Sequence, residues 1–258
     1  MRPESTPRVR RLLTCLALVV AAGCTSPGAS RDAEVDRAKL AQVNTELGMQ
    51  YLQRGDYETA MQKIDRALVA DPDFVDAHNA MGLLHAALGE NDKAERSFER
   101  ALAIGPRNSA ALNNYGQFLC RQGRHEAGQA QFLKAVGNPL YRLPAVAYSN
   151  AGTCAFDAGD LDTAEGHFRK ALEIDPRLAP ALLQMADLSY RLERYLPARG
   201  YLQRYLEVAR HTPRSLWLGI RIERELEDRD AVASYSLQLE RGFPDAPETR
   251  LLLETRTP

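Results

Sequence analysis

Histidine and cysteine are the side chains that could carry chemistry in this chain, and their spacing argues against most of it. The histidines are His78, His85, His125, His167 and His211. His78 and His85 stand seven residues apart on one helix face, a spacing that could approach a metal ion. Both fall where the surrounding pattern wants a bulky packing residue, so no metal site is expected. The phosphate-loop, zinc-protease, nucleophile-elbow and dithiol signatures (G-x-x-x-x-G-K-[ST], H-E-x-x-H, G-x-S-x-G and C-x-x-C) are absent. No histidine neighbours a serine or cysteine in a nucleophile context. The expectation is a protein with no catalytic residue, no metal and no cofactor. Lys plus Arg is 33 against 34 Asp plus Glu, a balance that argues against a mainly electrostatic nucleic-acid binder.

The first residues read as an address. Residues 1–11 carry Arg2, Arg8, Arg10 and Arg11, and residues 12–22 (LLTCLALVVAA) are almost wholly apolar. This is the basic-then-apolar order of a secretory signal. The apolar run would rise only about 16 Å as a helix, too short for a hydrocarbon core of about 30 Å. The run ends Ala21-Ala22-Gly23-Cys24. Small residues before a cysteine resemble the bacterial lipobox, which implies lipidation at Cys24 after removal of residues 1–23. A plain secretory signal is the alternative. Thr25 after the cysteine resembles the outer-membrane sorting choice. Residues 24–40 are expected to form the lipidated N-terminus and a flexible tether.

The remainder repeats itself. Asn44-x-x-Leu47-Gly48-x-x-Tyr51 returns as His78-x-x-Met81-Gly82-x-x-His85 at an offset of 34. Gly55 and Gly89, Ala60 and Ala94, Ile64 and Phe98, Ala67 and Ala101, and Pro72 and Pro106 keep that offset. The pattern resembles the tetratricopeptide repeat. It predicts an all-α superhelical solenoid of about six helical hairpins at 41–74, 75–108, 109–142, 145–178, 179–212 and 213–246, with 247–258 as a cap or tail. Two extra residues separate the third and fourth repeats, Gly128 replaces an alanine, and Glu193 replaces the fifth turn glycine. The sixth repeat keeps only Pro244 and an apolar stripe of Leu237, Leu239 and Phe243.

In such a stack the first helix of each repeat lines a concave face. The expected groove residues are Met49, Leu52, Leu83, Ala86, Ala87, Asn113, Gln117, Phe156 and Tyr190, most apolar at the N-terminal end. Exposed apolar grooves mark partner sites, although the chain's own N-terminal segment or a capping helix could cover the face. Asn114 and Asn150 share a repeat position and invite comparison with a carboxylate clamp. The five lysines (Lys39, Lys63, Lys93, Lys134 and Lys170) sit mostly on second helices, so amides satisfying backbone groups between helices are expected instead. Cys120 and Cys154 fall on adjacent first helices. In an oxidising compartment they could form a disulfide across the disturbed repeat junction; two buried thiols are the alternative.

The signal sequence, the repeats and the cysteine pair together resemble one family. The stretches A-H-N-A-M-G-L-L (77–84), N-N-Y-G-x-F-L-C (113–120) and Y-S-N-A-G-T-C (148–154) are similar to those of the PilF/PilW lipoproteins of type IV pilus biogenesis. The resemblance implies a monomeric, outer-membrane-anchored, pilotin-like factor whose folded part lies in the periplasm. It implies that the early repeats bind the secretin, the outer-membrane pore subunit, and promote its localisation and multimerisation. A general tetratricopeptide-repeat scaffold for envelope or peptidoglycan machinery is the alternative.

Overall fold

The computed structural model describes residues 27–255, and among these all regular structure is helical. Six antiparallel hairpins follow one another: α1 (Pro27–Gln53) with α2 (Tyr57–Ala70), α3 (Val75–Ala87) with α4 (Asn91–Ile104), and α5 (Ser109–Arg121) with α6 (His125–Val136). Then come α7 (Pro144–Asp157) with α8 (Leu161–Ile174), α9 (Ala179–Arg191) with α10 (Tyr195–Leu206), and α11 (Pro213–Glu225) with α12 (Arg229–Gly242). A last short helix, α13 (Pro247–Glu254), packs on α11 and α12. Successive first helices touch one another, whereas successive second helices do not. A stack held closer on one layer must curve toward it, so the first helices form the inside of the curve.

Each hairpin closes by local rules. Gly55, Gly89, Gly123 and Gly159 take φ between 75° and 83°, where a Cβ is disfavoured, and turn the chain out of the first helix. Asp56, Asp160, Asn108 and Asp228 accept a hydrogen bond from the backbone N–H three residues on and start the next helix. Inside the hairpin a glycine faces a large side chain. A Cβ on Gly82 would come within 2.8 Å of the Phe98 ring, and one on Gly152 within 2.6 Å of Phe168. These fully buried rings, with Phe132 and Ile64 at the same repeat position, are the core of the stack. Each ring stabilises by about 2–3 kcal/mol of removed apolar surface.

The fifth and sixth turns keep the shape without the glycine. Glu193 and Glu227 hold φ of 58° and 57°, a strained region for a residue with a Cβ. Replacing Glu193 with Gly should therefore raise stability by about 0.5–1 kcal/mol, the strain released exceeding the added freedom of the unfolded chain. A shift of the urea midpoint at constant slope would measure it.

Two expectations are corrected. Residues 27–40 form the first part of α1 instead of a flexible tether. No glycine or proline interrupts residues 29–47, and Ala, Arg, Glu and Lys favour the helix. Once residues 41–53 are packed, propagation backward needs no new nucleus. The side chains of residues 34–40 are nevertheless all exposed. In the sixth repeat Leu237 is 47% exposed while Leu239 is fully buried, so the stripe is Leu239 with Phe243 packed beside it. The glycine facing a ring is kept one residue earlier, where a Cβ on Gly219 would come within 2.9 Å of the Tyr235 ring. Ile220 stands where the first four repeats have glycine, and Ser236 stands where they have the large side chain. The Ser236 hydroxyl is buried without a hydrogen-bond partner.

Candidate partner-binding groove

The inside of the curve is built from α1, α3, α5, α7, α9 and α11, and its two halves differ chemically. At the N-terminal end Met49, Leu52, Leu83 and Ala86 are half-buried, each also packing on the core, while Ala87 at the end of α3 is exposed. These five form a shallow apolar surface. Asn113 and Phe156 do not belong to an open surface: they are only 7% and 3% exposed. Gln117 and Tyr190 are half-buried.

Asn113 is consumed by a ladder of amides. Asn114 Nδ2 donates to Asn79 Oδ1 at 3.1 Å, and Asn150 Nδ2 donates to Asn113 Oδ1 at 2.9 Å. The donor is at one repeat position and the acceptor at the preceding position of the repeat before. The amides thus satisfy one another between first helices, and not the backbone as expected. Farther along, Gln184 Nε2 donates to Thr153 Oγ1 at 3.2 Å, and Arg214 donates to Gln184 Oε1 at 2.6 Å and Asp187 Oδ2 at 3.0 Å. Partly buried hydrogen bonds of fixed geometry hold the register of neighbouring repeats.

Cys120 on α5 and Cys154 on α7 are joined as a disulfide with a Cα–Cα distance of 5.6 Å. It spans the junction where the linking segment, residues 137–143, departs from the regular repeat. Asn138 fastens that segment, donating to Ser109 Oγ at 3.1 Å and accepting from the Leu140 N–H at 3.1 Å. Gly128 explains itself here, because an added Cβ would overlap Cys120 Sγ. The sulfur fills the place that an alanine methyl takes in neighbouring hairpins. His125 lies beside the bridge, its Nδ1 3.8 Å from Cys154 Sγ. The potential ligand atoms of Cys120, His125 and Cys154 lie within 4.8 Å of one another, but metal ligation needs thiolates, and both sulfurs are bonded to each other. His78 and His85 do not converge: His78 Nε2 meets the Pro72 carbonyl at 2.9 Å and His85 Nδ1 meets Glu90 at 2.6 Å.

On the outer side, ion pairs repeat at one position. Glu95 receives Arg124 at 2.5 Å and Glu165 receives Arg194 at 3.0 Å. The Arg124 guanidinium, then the Tyr115 hydroxyl, hold the Glu95 carboxyl below the usual range. Burial and then Glu95 push the Tyr115 phenol up to about 12. At the last junction the signs are inverted: Arg199 on α10 pairs with Asp228 and with Glu223, which is 3% exposed.

At the C-terminal end the inner face carries stacked arginines. The Arg191 guanidinium lies 3.9 Å from the Phe156 ring centroid and that of Arg221 lies 4.2 Å from Tyr190. Sequence reasoning named both rings and missed their covers. The available signal was Arg191 standing at the same repeat position as Ala87, one of the expected groove residues.

Tetratricopeptide-repeat family models match residues 45–109, 107–177 and 155–216. The type IV pilus assembly protein PilF of Pseudomonas aeruginosa is 35% identical over 242 residues, 93% of this chain and 96% of that protein. The chain belongs to the PilF/PilW family of tetratricopeptide-repeat proteins. The solved structure of Pseudomonas aeruginosa PilF matches with a TM-score of 0.76 at 34% identity, covering 86% of this chain and all (100%) of that one. That of PilW, described as a widely conserved type IV pilus biogenesis factor, matches with a TM-score of 0.76 at 32% identity, covering 83% and 98%. Family membership thus extends through the degenerate fifth and sixth repeats. Cys24 and the signal segment lie outside the described residues, and no described helix is long and apolar enough to cross a membrane.

Proposed function

We propose that this protein is a pilotin-like assembly factor for type IV pili. Lipidated at Cys24 and held at the outer membrane, it binds the secretin through the apolar end of its groove and promotes secretin localisation and multimerisation. It acts by binding and performs no catalysis. The observation that carries the reading is the end-to-end likeness to PilF, named for type IV pilus assembly, at 35% identity over 93% of the chain. The half-buried Met49, Leu52 and Leu83 supply a surface for an apolar side chain of the partner.

Deleting the gene should abolish heat-resistant secretin multimers, and restoring the wild-type chain should return them. Ala87→Glu puts a charge on the exposed rim without touching the core. It should weaken secretin capture about tenfold, and Leu52→Asp should do so more strongly. Circular dichroism of both variants should match the wild type. Normal multimers in the deletion strain would refute the proposal.

A further inference from the structure

The basic strip at the C-terminal half of the inner face is not accounted for by secretin capture at the N-terminal end. Arg191 and Arg221 each hold the guanidinium carbon over an aromatic ring of the preceding first helix, 3.9 and 4.2 Å from its centroid. Neither has a hydrogen bond or carboxylate partner among the described residues. Arg121, on the same face of α5, likewise has no ion-pair partner there, and it lines a cleft with Gln117, Thr153 and Asp157. The nearby Asp187 is already engaged by Arg214 at 3.0 Å. Three arginines without an ion-pair partner thus share this concave surface with Asp157, leaving an excess of positive charge.

The stacking decides what kind of ligand fits. A guanidinium held by its face against a ring keeps its N–H edges outward in a fixed plane. That is the geometry for two parallel hydrogen bonds to a carboxylate, and the rotamer freedom lost on binding has already been surrendered. The repeat places Arg191 and Arg221 on successive helices, so the carboxylates should be carried on one chain crossing those helices. A flat anionic membrane cannot follow a concave strip. The small number of unpaired arginines is also poor neutralisation for a nucleic-acid backbone.

We propose that Arg121, Arg191 and Arg221 form a second subsite, separate from the apolar groove, which takes an acidic peptide segment of a partner protein. The test uses fluorescence anisotropy of a labelled peptide of Asp, Glu, Ser and Gly, with a Lys-for-acid version as control. The acidic peptide should bind, the basic one should not, and affinity should fall as salt rises. Arg191→Gln with Arg221→Gln should weaken binding about tenfold or more, whereas Arg100→Gln, which removes a positive charge from the exposed pair with Asp73 on a second helix, should leave it unchanged. Arg191→Lys with Arg221→Lys keeps the charge but loses the fork, and should fall between. If the Gln pair does not fold, the Lys pair decides, and wild-type affinity in it would overturn the proposal. So would equal binding of both peptides, or stronger capture of phosphatidylglycerol vesicles or single-stranded DNA than of the acidic peptide. Failure of this subsite leaves the secretin assignment standing, because that assignment is probed at Ala87 and Leu52.

Discussion

Gly128→Ala should lower the stability of the oxidised protein by about 2–3 kcal/mol and cost under about 1 kcal/mol once Cys120 and Cys154 are both Ala. In the native chain the added methyl meets Cys120 Sγ, and the Gly116 carbonyl oxygen would be 2.8 Å away. The sulfur cannot retreat, because it is bonded to Cys154 across the junction. Without the sulfur the carbonyl and the residue-120 backbone nitrogen, 3.2 Å away, still face the methyl, and the hairpins with Ala60, Ala94 and Ala164 accommodate one. Removing the bridge itself should cost about 3–4 kcal/mol by the chain-entropy account, for a separation of 34 residues. Urea unfolding of the four proteins of the cycle measures both effects. Equal penalties for Gly128→Ala in the two backgrounds would show that the sulfur does not own that space.

Arg199→Leu should be comparably damaging, at about 2–4 kcal/mol. It strands Glu223, whose side chain is 4% exposed, and leaves Asp228 without its partner. The hydrogen bond to Glu223 holds the Arg199 guanidinium above its ordinary range. The cost comes mainly from the uncompensated carboxylate. Adding Glu223→Leu should therefore recover most of the loss, since an apolar pair of similar volume needs no counter-charge. A double variant no more stable than Arg199→Leu would count against this account. The exposed pairs, such as Arg100 with Asp73, should contribute under about 1 kcal/mol.

The hairpins were legible because their determinants are local. Gly55, Gly82, Gly89 and Pro72 mark positions where a Cβ or an N–H decides the backbone, and such marks survive in a bare sequence. Glu193 replaces the fifth turn glycine, yet the turn forms with the same positive φ; packing on both sides over-determines one strained residue. The helix over residues 27–40 was missed for the opposite reason, because its small polar composition suits both a tether and an exposed helix. Phe156 was assigned to the open groove from its repeat position. Position fixes the direction of a side chain, but not whether Arg191 from the next repeat lies across it. The inverted pairing of Arg199 was equally hidden, since it is a relation between repeats and leaves no mark within one.

The two ends of the stack are unlike. At the C-terminus α13 lays Leu252 against Leu216, Ile220 and Leu239 and closes the seam. At the N-terminus Leu40 and Val43 of α1 and Val69 of α2 stay 54%, 44% and 84% exposed. The architecture therefore has a direction of growth. A hairpin grafted ahead of α1 would find a greasy template waiting for it, whereas one appended after α13 would find the docking seam already sealed.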